Sequence, residues 1–159
     1  MIWEKAGRLP TQDRYYAIFE YMFVLSKGKP KAMNFICDNE NVSKVTTRRK
    51  DSTINKGNHK LGQGTFTTKK FSRRTNIWRV PNSGNKSGHP AVFPETLVSD
   101  HIKSWSNEGD LVYDPFMGSG TTAIAAIENF RDFIGSEISS KYCEISRARI
   151  RDANANLLI

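Results

Sequence analysis

The sequence predicts an α/β chain: one strand–helix–strand unit of a Rossmann-like sheet, preceded by short strands and interrupted by a basic insertion. Three observations predict it. The stretch Leu111-Val112-Tyr113-Asp114-Pro115-Phe116-Met117-Gly118-Ser119-Gly120-Thr121-Thr122-Ala123 runs from an apolar strand, expected to be buried, through a glycine turn into a helix start. Ala123, Ala126, Ile127 and Phe130 then recur at helical spacing, and Arg131 to Glu137 reads as a second short parallel strand ending in an acid. Finally, residues 41–80 hold eleven basic side chains against one acid, Asp51, a net of +10, while the whole 159-residue chain carries only +8.

Taken in order, Met1-Ile2-Trp3 resembles the end of a strand, and Gly7 and Pro10 mark a loop. Tyr15 to Leu25 is rich in β-branched and aromatic residues, which predicts a mostly buried strand stopped by Ser26-Lys27-Gly28-Lys29-Pro30. Glu20 inside that run is expected at an edge or in a salt bridge. Residues 36–75 lose all periodicity and turn to Asn, Thr, Ser, Gly and basic residues, with Phe66 and Phe71 as their aromatics. Composition weighs evenly between a solvated insertion and a loop whose cations meet phosphates. Asn76 to Val80 returns as a short extended segment, followed by a polar loop. A helix then opens with Pro94 in its first turn, where a missing N–H is harmless, and carries Leu97, Val98, His101, Ile102 and Trp105 on one face. His101 is expected to be packed and not a ligand. A final helix is predicted from a cap at Ser139 or Ser140 to about Ala153. The divisions are thus 1–35, 36–75 and 76–159.

Composition bounds the class. Hydrophobic residues make up 38% of the chain, and no apolar run approaches the roughly 20 residues of a membrane span. No apolar core follows the first basic residues, so Met1 does not open a signal peptide. With only Cys37 and Cys143, neither a disulfide framework nor a metal site is expected, and a reducing cytoplasm is the expected compartment. The concentrated basic block favours a polyanionic partner, most simply nucleic acid.

The glycine turn is the candidate site. It is no P-loop, because Thr121 follows Gly120 and the turn holds no lysine. Gly118-Ser119-Gly120-Thr121-Thr122-Ala123 does satisfy the dinucleotide pattern, with Glu137 at the distance of a ribose-binding acid. Asp114 at the strand tip argues otherwise. Its carboxylate would repel a pyrophosphate and attract a cationic, amine-bearing ligand, the character of S-adenosylmethionine with its sulfonium and ammonium.

Asp114-Pro115-Phe116-Met117-Gly118-Ser119-Gly120-Thr121-Thr122, preceded by Gly88-His89-Pro90-Ala91-Val92-Phe93-Pro94-Glu95 and followed by Ile134-Gly135-Ser136-Glu137, resembles the DNA amino-methyltransferases of N6-adenine and N4-cytosine in their permuted, β-type order. Ile2-Trp3-Glu4-Lys5 and Phe19 to Gly28 resemble that family's later catalytic-half strands. The resemblance implies an S-adenosylmethionine pocket lined by Asp114, Phe116, Gly118, Ser119, Gly120, Thr121 and Thr122, with Glu137 on the ribose and His89, Pro90 and Pro94 shaping the methionine side. It also implies double-stranded DNA as partner and a target-recognition region at 36–75, where Arg48, Arg49, Lys50, Lys69, Lys70, Arg73 and Arg74 are the candidate contacts.

The family's acceptor site needs an Asp-Pro-Pro-Tyr-type motif, because the target base must be flipped out and held by its amine. This chain has no Pro-Pro pair, so no catalytic residue is assigned. The resemblance places that motif upstream of Met1, together with central strands of a seven-stranded sheet. Its two ends are therefore expected not to join into one sheet, leaving an exposed apolar edge or a surface for an upstream complementing fragment. Two alternatives stand beside a methyltransferase portion: a non-enzymatic DNA-binding remnant and an NAD-binding fragment.

Overall fold

A computed structural model describes residues 1–5, 18–41, 69–81 and 93–157. The expected loop at Gly7 and Pro10, the start of the Tyr15 strand, Arg48, Arg49, Lys50, Phe66, His89 and Pro90 lie outside the described residues. The elements run β1 (Ile2–Glu4), β2 (Phe19–Tyr21), β3 (Asn39–Glu40), β4 (Phe71–Ser72), β5 (Ile77–Arg79), α1 (Glu95–Trp105), β6 (Leu111–Asp114), α2 (Thr121–Glu128), β7 (Asp132–Gly135) and α3 (Ser140–Leu157). They fall into two compact units, Met1–Ile36 with Asn76–Ile159, and Cys37–Thr75.

In the first unit β1 is the middle strand of three, antiparallel to β2 and parallel to β5. Register sets Trp3 beside Trp78, and both are buried with Val80 and Leu97. Each indole removes enough surface from water to contribute about 4–6 kcal/mol as an upper bound. The Trp3 indole N–H donates to the Val80 carbonyl at 2.9 Å, so its polar handle is satisfied. His101 is packed as expected: its ring lies 4.7 Å from that of Trp78, and its Nε2 is 3.0 Å from Met22 Sδ. Glu20 pairs with Lys5 on the edge strand.

The Tyr15–Leu25 region departs from expectation. Its strand is three residues long and exposed, not a mostly buried run. The reason is position: among the described residues β2 has a single neighbouring strand, and its Phe19 and Tyr21 point to the sheet face opposite Trp3 and Trp78. Phe19, Tyr21 and Phe23 pack mainly on one another, with ring centroids 5.3 and 6.1 Å apart.

α1 serves two cores. Leu97 joins the tryptophan cluster, and Ile102 packs with Ala125 and Ala126 of α2, against Val98, Val112 and Phe133. Strands β6 and β7 pair in parallel, Val112 beside Phe133 and Tyr113 beside Ile134, with α2 as the crossover. The expected buried strand is therefore covered on one face only. Leu111, Tyr113 and Ile134 on the other face are 58%, 61% and 54% exposed. Parallel strands are ordinarily covered on both faces; here α1 and α2 supply one layer. Among the described residues, β6–β7 and β2–β1–β5 are separate sheets.

Phe130 is a second departure. α2 ends at Glu128, and Phe130 takes a left-handed φ of 59° instead of continuing the inner face. Its N–H donates to Ile127 at 3.0 Å and that of Arg131 to Ala126 at 2.9 Å, a six-to-one cap of the kind glycine usually closes. Among the described residues no helix is long and apolar enough to cross a membrane.

Candidate cofactor site at the glycine turn

β6 delivers Asp114 to the tip of the sheet, where its carboxylate closes the turn that follows. Oδ1 accepts from the Phe116 N–H at 2.9 Å, and Oδ2 accepts from the Thr122 hydroxyl at 2.6 Å. One side chain thereby ties the strand end to the first turn of α2. Both glycines adopt left-handed backbone, φ 56° at Gly118 and 87° at Gly120. Gly120 also faces α3 so closely that a Cβ would lie 3.0 Å from Ser146 Cβ. Its identity is thus fixed by backbone and packing before any ligand is considered.

From the neighbouring strand comes Glu137. Its Oε2 accepts from the Gly118 N–H at 2.9 Å and its Oε1 from the Ser139 N–H at 2.8 Å. Each carboxylate oxygen thus accepts from a main-chain N–H, which orients the group. The two strand ends meet again where the Met117 N–H donates to Ser136 at 2.8 Å, and Gly135 lies under the Met117 side chain, which would have to move aside for a Cβ.

The structure brings Asp114, Phe116, Gly118, Ser119, Gly120, Thr121, Thr122 and Glu137 together at the joined ends of β6, β7 and α2. Ser119 and Thr121 are buried, with Ser119 Oγ against the Arg149 guanidinium at 3.1 Å. Pro94 is buried at the entrance of α1, its carbonyl accepting from Leu97 at 3.0 Å. Phe116 and Ile138, directly beyond the paired strands, are 87% and 100% exposed and offer apolar surface beside two carboxylates. Ile138 escaped the sequence reasoning; its one signal was an apolar residue next to Glu137 in the polar run Ser136 to Ser140. Arg149 and Glu95 were also missed as parts of this region. Arg149 Nη1 donates to the Ser119 carbonyl at 2.7 Å, and Nη2 to Glu95 Oε1 at 2.7 Å.

A hollow of about 630 Å³ lies elsewhere, at the opposite end of β7, between Ile127, Phe130, Arg131, Phe133 and Asn154. It is open, and Arg131 is already committed to Ser106 and Asn129, so it does not mark the site.

In the Cys37–Thr75 unit, β3 and β4 pair antiparallel, with Asn39 opposite Ser72. Arg74 grips Asp38 through Nε at 2.9 Å and Nη2 at 2.5 Å, and this pairing holds the Asp38 carboxyl below the usual carboxylate range. Lys70 Nζ lies 5.1 Å from the centroid of the Phe71 ring, and the Lys69 carbonyl accepts from Asn41 at 2.7 Å. Lys69, Lys70, Arg73 and Arg74 therefore gather at this short ladder, Arg74 as its clasp.

A family model of DNA methylases, covering N6- and N4-amino methylation, matches residues 1–148. The chain belongs to that family, and its first unit is a partial Rossmann-like methyltransferase fold. Among its relatives, the orphan methyltransferase M.BamHII of Bacillus amyloliquefaciens is 47% identical over 167 residues, which cover 96% of this chain and 61% of that protein. The type II methyltransferase M.SmaI of Serratia marcescens is 30% identical over 94% of this chain and 44% of its own length. Of solved structures, the M1.HpyAVI–SAM complex superposes with a TM-score of 0.58 at 25% identity, over 94% of this chain and 59% of that one. The chain thus spans between 44% and 61% of the length of these relatives.

Proposed function

We propose that the glycine turn holds S-adenosylmethionine and that the chain contributes this donor site to site-specific methylation of an exocyclic amine in DNA, N6 of adenine or N4 of cytosine. The observation that carries it is the pair of carboxylates, Asp114 and Glu137, set around the Gly118 turn at the ends of adjacent parallel strands. The residues fit the group. The Asp114 carboxylate at the strand tip disfavours a dinucleotide pyrophosphate and suits a cationic ligand, while Glu137 suits the ribose hydroxyls of either cofactor. Glu137, pre-oriented by two amides, is placed to accept from ribose hydroxyls. Asp114 supplies negative charge at the sheet tip, and Phe116 and Ile138 offer apolar surface to an adenine ring. When bound, S-adenosylmethionine supplies an electrophilic methyl on its sulfonium; the turn orients it and does no proton chemistry.

The acceptor side is a separate matter. With no Pro-Pro pair in the sequence, we infer that a polypeptide carrying that motif completes the enzyme. Matching it to the portion of the relatives this chain does not span is supported by the open apolar faces at Leu111, Tyr113 and Ile134 and at Phe19, Tyr21 and Phe23. The basic Cys37–Thr75 unit is the proposed contact for double-stranded DNA, through Lys69, Lys70 and Arg73 and, beyond the described residues, Arg48, Arg49 and Lys50.

Calorimetry tests the donor site. S-adenosylmethionine is expected to bind and Glu137→Gln to weaken it, while NAD gives no heat. Binding of NAD alone, or equal S-adenosylmethionine affinity in the Gln variant, would sink the assignment. DNA binding indifferent to S-adenosylmethionine, with no heat from either cofactor, would leave a DNA-binding remnant.

A further inference from the structure

The turn's ring of contacts has one member that no motif predicts. Arg149, about two and a half turns along α3 from its start at Ser140, reaches back to the glycine turn. Its Nη1 donates to the Ser119 carbonyl at 2.7 Å and to Ser119 Oγ at 3.1 Å, and its Nη2 donates to Glu95 Oε1 at 2.7 Å. One guanidinium therefore joins the middle of the turn to the first residue of α1, immediately after the buried Pro94.

The consequence concerns one peptide plane. Between Ser119 and Gly120 the N–H of Gly120 donates to Met117 at 3.0 Å, and the carbonyl of Ser119 is taken by Arg149. Both ends of that plane are pinned. Rotation of that plane changes ψ of Ser119 and φ of Gly120, and Gly120, at φ 87°, offers little resistance of its own, since glycine tolerates both signs of φ. Without Arg149 the Ser119 carbonyl, in a buried residue, loses a charge-assisted donor. A rotated plane would break the Gly120–Met117 bond that closes the turn and release the Ser119 carbonyl from α3, so the shape of the turn would change. Glu95 neutralises the guanidinium, so the clamp adds no net positive charge beside a site proposed for a cation. An exposed pair of this kind contributes little stability by itself, which points to a task of orientation.

We propose that Arg149 is a positioning residue for the methyl-donor site: it fixes the Ser119–Gly120 peptide in its ligand-ready orientation, with Glu95 holding the guanidinium in line. This rests on the glycine turn being the S-adenosylmethionine site. Lysine cannot replace it, because one ammonium lacks the planar fork that spans a carbonyl and a carboxylate together.

The test is S-adenosylmethionine affinity by calorimetry, beside thermal melting, for the chain and its variants. Arg149→Ala is expected to weaken binding roughly tenfold while melting stays cooperative, and Arg149→Lys to recover only part of the loss. Guanidinium chloride, far below its denaturing range, is expected to restore affinity in Arg149→Ala and to leave Glu137→Gln unchanged, whereas equal sodium chloride restores nothing. A purely structural arginine would show lowered melting without ligand-site rescue, and that result overturns the proposal. So does unchanged affinity in Arg149→Ala when the unaltered chain binds, which leaves the donor-site assignment intact. Absence of binding by the unaltered chain overturns both. Should Arg149→Ala fail to fold, Arg149→Lys and Glu95→Gln decide: weakened binding in both supports the clamp, and wild-type affinity in both refutes it.

Discussion

Adding a single methyl group to the turn, Gly120→Ala, combines two separable costs. At φ 87° an L-residue is strained by about 1–2 kcal/mol, because its Cβ crowds the following carbonyl. The same Cβ would sit 3.0 Å from Ser146 Cβ and 3.3 Å from Ser146 Cα, so α3 must shift away, an overpacking cost of about 1–3 kcal/mol. The expected loss is about 2–5 kcal/mol, a large share of the roughly 5–15 kcal/mol that holds a typical domain together. Urea titration followed by circular dichroism reads it as a fall in the midpoint. Repeating Gly120→Ala in a Ser146→Gly background removes the nearest clash and keeps the backbone strain, so the cost there should shrink to about 1–2 kcal/mol. Equal costs in the two backgrounds would refute the close helix approach, and a loss below about 1 kcal/mol in both would refute the strained turn as well.

Other outcomes follow from the same geometry. Phe130→Gly should stabilise by about 1 kcal/mol in thermal melts, since the left-handed cap at φ 59° suits glycine and the exposed phenyl gives up little burial; a lower melting temperature would contradict the capping geometry. His101 has its pKa lowered by burial against Met22 and Trp78, with Asp100 opposing and the N-terminal ammonium assisting. Its folded pKa lies below its unfolded one, so the unfolded chain binds the proton better, and stability is full above about pH 6.5 and lost as pH falls through that value towards the folded pKa. His101→Phe should flatten the fall in melting temperature below pH 6.5, and an unchanged profile would count against burial as the cause. In the basic unit, Lys69→Ala should lower the slope of log K for DNA against log salt by about 0.9 for each phosphate that is no longer neutralised, and an unaltered slope would place Lys69 away from the DNA backbone. Arg74→Ala should instead loosen the ladder, read as faster amide exchange at Asn39 and Glu40, because its guanidinium is bound to Asp38.

The glycine turn, its two acids and its flanking strands were legible because each depends on local chemistry. An acid at a strand tip, positive-φ glycines and a helix start all lie within a dozen residues, and short-range order suffices to place them. Burial was less legible. Leu111 and Tyr113 have the apolar character of a doubly covered parallel strand, and only the layer arrangement, with α1 and α2 on one side, explains why they are exposed. Phe130 satisfied the helical period, but Asn129, whose side chain donates to Ala125 at 2.6 Å and to Ser99 at 3.0 Å, ends the helix one step earlier. The ties that hold the turn in shape were the hardest to see. Arg149 stands 30 residues from Ser119 and 54 from Glu95, and nothing in their local patterns links them. The motif therefore identifies where the turn forms, while the residues that hold its backbone include tertiary contacts from α3. A variant that preserves every motif residue and alters only Arg149 or Ser146 should still change how well the turn performs.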